Sequence, residues 1–169
     1  MNLAAVFDEH APGLWRYLAR QAGATAAEDL VAETFLAAWQ QRADYRAELG
    51  SLRAWLYGIA TNLLRRHHRT QAQQTRMAER LAGQRAEAED GHDRTAERLD
   101  ARTHLRQLAA AIAALSDGDR EVLLLSSLAG LESREIAVAL GIPEGTVRSR
   151  MHRVRRTLRA TLPAVKGES

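Results

Sequence analysis

Cysteine is absent from the 169 residues. That excludes a disulfide framework, a thiolate metal site and a cysteine nucleophile. Proline occurs three times and aromatics make up 5% of the chain, and no Val/Ile-rich alternating run is present to suggest strands. No apolar run reaches membrane length, and the start is not charged-then-apolar, so neither a spanning helix nor a signal peptide is expected. A soluble cytoplasmic protein is the expectation. There is no glycine-rich phosphate loop and no paired carboxylates with a histidine, so an enzyme is not expected and no cofactor is implied. Lysine is confined to Lys166. Arginine carries the remaining positive charge, and its clustering is more informative than its abundance.

What remains is helix-forming. Ala, Leu, Arg, Glu and Gln dominate, with 46% hydrophobic and 27% charged residues, enough for a buried core and an all-α fold. The net charge is only +3, but the C-terminal part is strongly basic and the middle is acidic. The stretch from Glu132 to Leu162 is organised most clearly. A short helix from about Ser133 to Leu140 carries Ile136 and Leu140 on one face. Gly141 can supply the left-handed residue that ends it, and Pro143 suits the start of the next helix. That second helix has Val147, Met151, Val154, Leu158 and Leu162 as one apolar stripe. Arg148, Arg150, Arg153, Arg155, Arg156 and Arg159 lie on its other faces, with Thr146, Ser149 and His152 among them. This is the layout of a helix-turn-helix DNA reader. Arginines can pair with guanine edges or phosphates, and hydroxyls can donate to phosphates. The plainer alternative is a helical hairpin with a solvated arginine face.

Upstream, Leu3, Val6, Phe7, Leu14, Tyr17 and Leu18 predict one kinked helix or two short ones around Pro12, ended by Gly23. Thr25 and Glu28 have capping-box spacing. The following helix, to about Gln41, should bury Leu30, Val31, Phe35, Ala38 and Trp39. Asp29, Glu33 and Gln40 occupy another side, and by spacing alone they read as ordinary solvated surface. Asp44 to Gly50 is a loop by composition. Ser51 should cap a long helix in which Leu52, Trp55, Leu56, Ile59, Ala60, Leu63 and Leu64 follow the helical template. Arg53, Tyr57, Thr61, Asn62, Arg65 and Arg66 take its other faces. Adjacent His67 and His68 point about 100° apart on a helix and lack a third ligand, so no metal site is expected. From Gln71 to about Asp100 few large apolar residues occur, and Glu87, Glu89, Asp90, Asp93, Glu97 and Asp100 make the second half acidic. This reads as an extended or loosely helical linker. Leu105, Leu108, Ile112 and Leu115 then define a helix. Ser116 caps another, lined by Val122, Leu123, Leu125 and Leu128. No internal repeat is evident.

In this order, three stretches resemble the extracytoplasmic-function (ECF) group of bacterial RNA polymerase sigma factors: AEDLVAETFLAAW (Ala27 to Trp39), ELGSLRAWLYGIATNLLRRHHR (Glu48 to Arg69) and LSDGDREVLLLSSLAGLESREIAVALGIPEGTVRSRMHRVRRTL (Leu115 to Leu158). The resemblance implies two small helical domains: sigma region 2 over residues 1–70 and region 4 over 102–169, joined by a flexible acidic linker over 71–101. It implies that Asp29 and Glu33 meet core RNA polymerase, with Trp39 in the core of the domain. Tyr45, Glu48, Ser51, Arg53, Asn62, Arg65 and Arg66 would serve the promoter −10 element. Thr146, Arg148, Ser149, Arg150, Arg153 and Arg156 would serve the −35 element. Partners are then core polymerase, promoter DNA and, by family habit, an anti-sigma factor masking one or both domains. No membrane insertion is expected, and the free chain should be a monomer. Ala32 stands where many relatives have glutamine, and Pro143 where serine often caps the recognition helix. The chain ends soon after that helix, so no appended sensory domain is expected. The rival reading is a stand-alone helix-turn-helix regulator, which would dimerise on paired half-sites and leave the first half unexplained.

Overall fold

The structure, a computed structural model, describes residues 3–82 and 96–161. The described residues form seven helices and no strands: α1 (Leu3–Ala22), α2 (Ala24–Gln40), α3 (Leu52–Ala82), α4 (Ala96–Ala113), α5 (Asp117–Ser127), α6 (Ser133–Leu140) and α7 (Glu144–Thr161). The stretch holding Glu87, Glu89, Asp90 and Asp93, and the last apolar position of the basic helix, Leu162, lie outside the described residues.

Pro12 sits inside α1 and does not divide it. Proline forfeits one backbone hydrogen bond, but Ala11, Leu14, Tyr17 and Leu18 around it are all buried. Each large apolar side chain so buried contributes about 1.5–3 kcal/mol, which offsets the lost bond. Gly23 alone joins α1 to α2. Its N–H closes α1 on Ala19 and its carbonyl opens α2 at Ala27, at a φ of 84° that favours glycine. The expected Thr25 cap is therefore not used: α2 begins at Ala24, with no side-chain cap. The one-residue connection starts the helix before Thr25 can stand outside it.

Leu30, Val31, Phe35 and Ala38 bury the inner face of α2, as the spacing predicts. Trp39 does not join them; it is 40% exposed, with the Arg42 guanidinium 4.3 Å from its ring centroid. Thr34 takes an inner position instead, its hydroxyl satisfied by the Leu30 carbonyl at 2.6 Å. Ser51 caps α3 as expected, accepting from the Ala54 N–H at 3.1 Å. Leu56, Tyr57, Ala60 and Leu64 bury α3 against α1 and α2, and the Tyr17 and Thr61 hydroxyls share a hydrogen bond of 3.2 Å. The helix then continues through exposed positions to Ala82, past the point where the apolar pattern stops. Gln-, Arg-, Ala- and Glu-rich sequence can propagate a formed helix without a face to bury.

In the second half Ser116 caps α5, accepting from the Asp119 N–H at 3.3 Å. Arg120 reaches back to the carbonyls of Ile112, Ala113 and Leu115, satisfying groups that the end of α4 leaves open. Ala111 and Leu115 are buried, whereas Leu105, expected inside, is 64% exposed. The inward face of α4 is set by where it meets α7, near its C-terminal end. Glu132 and Glu135 form a reciprocal capping box at the start of α6. Gly141, at φ 63°, ends α6 in a left-handed turn, with the Ile142 N–H on Ala137 and its own N–H on Val138. Val147 then anchors α7 on a core that includes Val122, Leu125 and Ile136, and Val154 is buried two turns further on.

The two halves are packed together, an arrangement the sequence leaves open. α6 lies on the start of α3 and the turn before it, so the buried residues of both halves form a continuous cluster. Two glycines permit the approach. A Cβ on Gly58 would stand 2.6 Å from the Ala139 carbonyl oxygen, and one on Gly50 would stand 2.7 Å from Val138 Cγ1.

Candidate nucleic-acid interface

The residues expected at the −10 element lie on one loop and one helix. Tyr45 is half-buried; its hydroxyl donates to the Gly50 carbonyl at 3.3 Å and its ring lies 5.3 Å from that of Trp55. These contacts tie the two ends of the loop together. Asp44, Tyr45, Arg46, Leu49, Gly50 and Trp55, with Val138 of α6, line a pocket of about 300 Å³. Glu48 is exposed at the loop tip. Ser51, besides capping α3, donates to Glu135 at 3.1 Å. Arg53 donates to the Ala129 carbonyl, lies 3.7 Å from Glu135 and approaches the Tyr57 ring at 5.7 Å. Arg65 grips Glu121 with a bidentate fork and also donates to Asn62 at 2.9 Å. The hydrogen-bonded Glu121 carboxylate raises the Arg65 pKa further. Arg66 is exposed, with no ion pair among the described residues.

On α7 the expected −35 residues divide. Arg148 is exposed and pairs with Glu144 one turn earlier at 2.6 Å. Ser149 is exposed and donates to the Thr146 carbonyl at 3.0 Å, and Thr146 is half-buried. Arg156 is exposed, as are Arg155 and Arg159. Arg150 is half-buried with its guanidinium over Gly118, where a Cβ would meet it at 2.6 Å. Arg153 forks onto the buried Asp119, at 2.9 and 2.7 Å. That guanidinium, helped by Ser116, holds the Asp119 carboxyl below the usual carboxylate range although burial opposes it. Arg153 is thus a brace between α5 and α7. The free edge of α7 is Arg148, Ser149 and Arg156.

Asp29, Glu33 and Trp39 are all exposed on α2. His68 reaches the Gln21 carbonyl at 3.2 Å, while the buried Nε2 of His67 has no partner. Among the described residues no group of three possible ligands is placed to hold a metal ion. Nor is any described helix long and apolar enough to cross a membrane. The partners of the arginines, Glu121, Glu135 and Asp119, were not anticipated. Glu135 had a signal in its three-residue spacing from Glu132. Nothing local could have joined Arg65 to Glu121.

Known proteins account for both halves. Residues 6–74 match the family described as Sigma-70 region 2, and residues 105–158 match Sigma-70, region 4. The chain is 36% identical over 161 residues to the ECF RNA polymerase sigma factor SigL of Mycobacterium tuberculosis, covering 95% of this chain and 88% of that one. It is 33% identical over 147 residues to the RNA polymerase sigma factor CnrH of Cupriavidus metallidurans, covering 83% and 75%. The solved structure of CnrH in complex with the cytosolic domain of CnrY aligns with a TM-score of 0.63 at 26% identity, over 94% of this chain and 85% of that one. The sigma factor RpoE of Bartonella quintana, solved with the anti-sigma factor NepR, has the same fold, with a TM-score of 0.63 at 24% identity over 94% of each chain. A stand-alone regulator would need only the second half and is set aside. The chain belongs to the ECF RNA polymerase sigma factors, alternative sigma factors for transcription initiation.

Proposed function

We propose that residues 1–70 bind core RNA polymerase and the −10 element, that residues 102–169 bind the −35 element, and that residues 71–101 connect them. Asp29 and Glu33, exposed on α2, form the polymerase contact. The loop from Tyr45 to Ser51 takes an unstacked base of the opened strand. The pocket beside it, lined by Tyr45, Arg46, Leu49 and Trp55 among others, supports this role, since a flipped base is held by stacking and polar edge contacts. Glu48 supplies a polar contact at the tip, and Arg53, Asn62, Arg65 and Arg66 follow the backbone. On α7, Arg148, Ser149 and Arg156 face the major groove. Thr146 and Arg150 support that edge, while Arg153 secures the helix.

The observation that carries the reading is the two-sidedness of α7. Val147 and Val154 are fully buried on one side, while Arg148, Arg155, Arg156 and Arg159 stand in solvent on the other. A helix held rigidly with a free basic edge is what groove recognition needs. Binding to opened strand shifts the closed–open equilibrium of the promoter, and the polymerase performs the chemistry, so the chain needs no catalytic group or cofactor. The protein acts in the cytoplasm as a monomer. An anti-sigma partner, as the RpoE complex with NepR suggests, covers one or both halves.

The test is transcription by core polymerase plus this chain on a randomised promoter library. Enrichment of paired elements at −35 and −10 is the expected result. No promoter-specific transcript, with the chain eluting apart from core polymerase, would overturn it.

A further inference from the structure

One acidic side chain stands on the basic edge of α7. Glu144 is the one carboxylate among the arginines of that helix. A carboxylate on a surface that meets phosphates weakens binding to every sequence, because it repels the backbone whose neutralisation supplies the affinity. Its contribution to the fold is small. The pair it makes with Arg148 spans one turn and is open to water, with the side chains 39% and 69% exposed, a kind of contact that adds little to a helix. Neither residue belongs to the buried core.

The geometry of the pair suits base edges. Arg148 donates from Nη2 to Glu144 Oε1 at 2.6 Å, and among the described residues nothing else engages either group. The second carboxylate oxygen and the remaining guanidinium N–H groups are therefore open. Gly145, next in the chain, has no side chain to cover them, and a Cβ there would meet nothing within 4 Å. In the major groove guanine shows two acceptors, N7 and O6, and cytosine shows one donor, the N4 amino group. A guanidinium fork matches the first and a carboxylate the second. Four residues along a helix cover about 6 Å, more than one base-pair step of about 3.4 Å. The two side chains thus match two neighbouring base pairs rather than one.

We propose that Glu144 is a base-reading residue of the −35 contact: with Arg148 on a guanine, its carboxylate accepts from the N4 amino group of a cytosine in the neighbouring base pair. This rests on the two-element reading above and deepens it by naming the base. The same carboxylate rejects the alternatives. Thymine O4 and guanine O6 set an acceptor where it needs a donor. Adenine offers its N6 amino group but sets the N7 acceptor beside it, against the second carboxylate oxygen. The affinity that Glu144 loses on DNA in general is exchanged for discrimination at one position.

The test is selection of −35 sequences by the full chain with core polymerase, from duplexes randomised at that element, for the wild type, Glu144→Ala and Glu144→Gln. The wild-type chain should prefer cytosine at the base pair next to the guanine whose preference Arg148→Ala removes. Glu144→Ala should weaken that cytosine preference at least threefold, while binding to sequences without the cytosine holds or rises because a repelling charge is gone. Glu144→Gln can pair with adenine N6 and N7, so it should move the preference at that position from cytosine toward adenine. A −35 profile that Glu144→Ala leaves unchanged, or scales equally on every sequence, would overturn this assignment alone. So would a loss confined to the guanine position, which would make Glu144 only a support for Arg148. Absence of any −35 preference in the wild-type chain would overturn the parent reading with it.

Discussion

The basic helices α3 and α7 look alike in sequence but are held differently. On α3, Arg53 and Arg65 are tied to acceptors in the other half of the chain, 56 to 84 residues away for the side-chain partners of Arg65 and Ser51. On α7, Arg153 is tied within its own half, to Asp119, and the neighbouring Arg148 is held only by Glu144 one turn before. The first arrangement depends on how the halves meet, and the second survives any separation of them. Arginine on a helix face is therefore three different things in this molecule: a tie between halves, an internal brace, and a free contact.

The comparison breaks most severely at Asp119. Asp119→Ala removes a buried fork and should lower unfolding stability by about 2 kcal/mol, measured by denaturant titration. If Arg65 were an equal brace, Arg65→Ala would match it; a smaller loss is expected because Glu121, 16% exposed, is less deeply buried than Asp119, 8% exposed. The same carboxylate should leave a pH signature. Its pKa is depressed in the folded chain, so the unfolded chain takes up the proton first. The stability it contributes is complete above the ordinary carboxylate range, near pH 4, and fades as pH falls through the depressed value. Arg153→Leu should flatten that acid limb, whereas Arg65→Leu should leave it in place.

Promoter binding sharpens the contrast at similar size. Arg148→Ala or Arg156→Ala should cost about 1–3 kcal/mol at one −35 position if the side chain reads a base, seen as relaxed preference there. Equal weakening on every sequence would make both phosphate contacts. Gly58→Ala acts through the other half alone. It gains about 1 kcal/mol of helix propensity within α3, yet places a methyl against the Ala139 carbonyl. Small-angle scattering should show a larger radius of gyration with helicity retained; an unchanged radius would mean the contact yields without opening. The smallest effect on stability is expected at Trp39. Because it lies outside the core, Trp39→Ala should shift stability by no more than about 0.5 kcal/mol. A larger loss would return it to the core.

Local rules were readable without coordinates. Gly23 and Gly141 end helices where the sequence places them, Ser51 and Ser116 cap as their positions imply, and α6 runs from Ser133 to Leu140 as expected. These features depend on a few adjacent residues and on backbone sterics. The errors arise where neighbours distant in sequence decide. Trp39 and Leu105 fit an apolar template within their helices, but Trp39 stands about 100° round α2 from the buried Ala38, and Leu105 precedes the buried end of α4, so both face outward. Thr25 has the right spacing for a cap, but a single-residue turn takes the helix start away from it.

By itself, then, the sequence determined an all-α chain, its helix boundaries over most of α1 to α7, two basic helices, and the family resemblance, because periodicity, caps and motif spacing are written in consecutive residues. Only the tertiary structure decided which arginines are free, that Asp119, Glu121 and Glu135 hold the others, and that the halves close on one another through Gly50 and Gly58. Those facts depend on atoms brought together from positions tens of residues apart, and ion pairing and close packing act on distance in space.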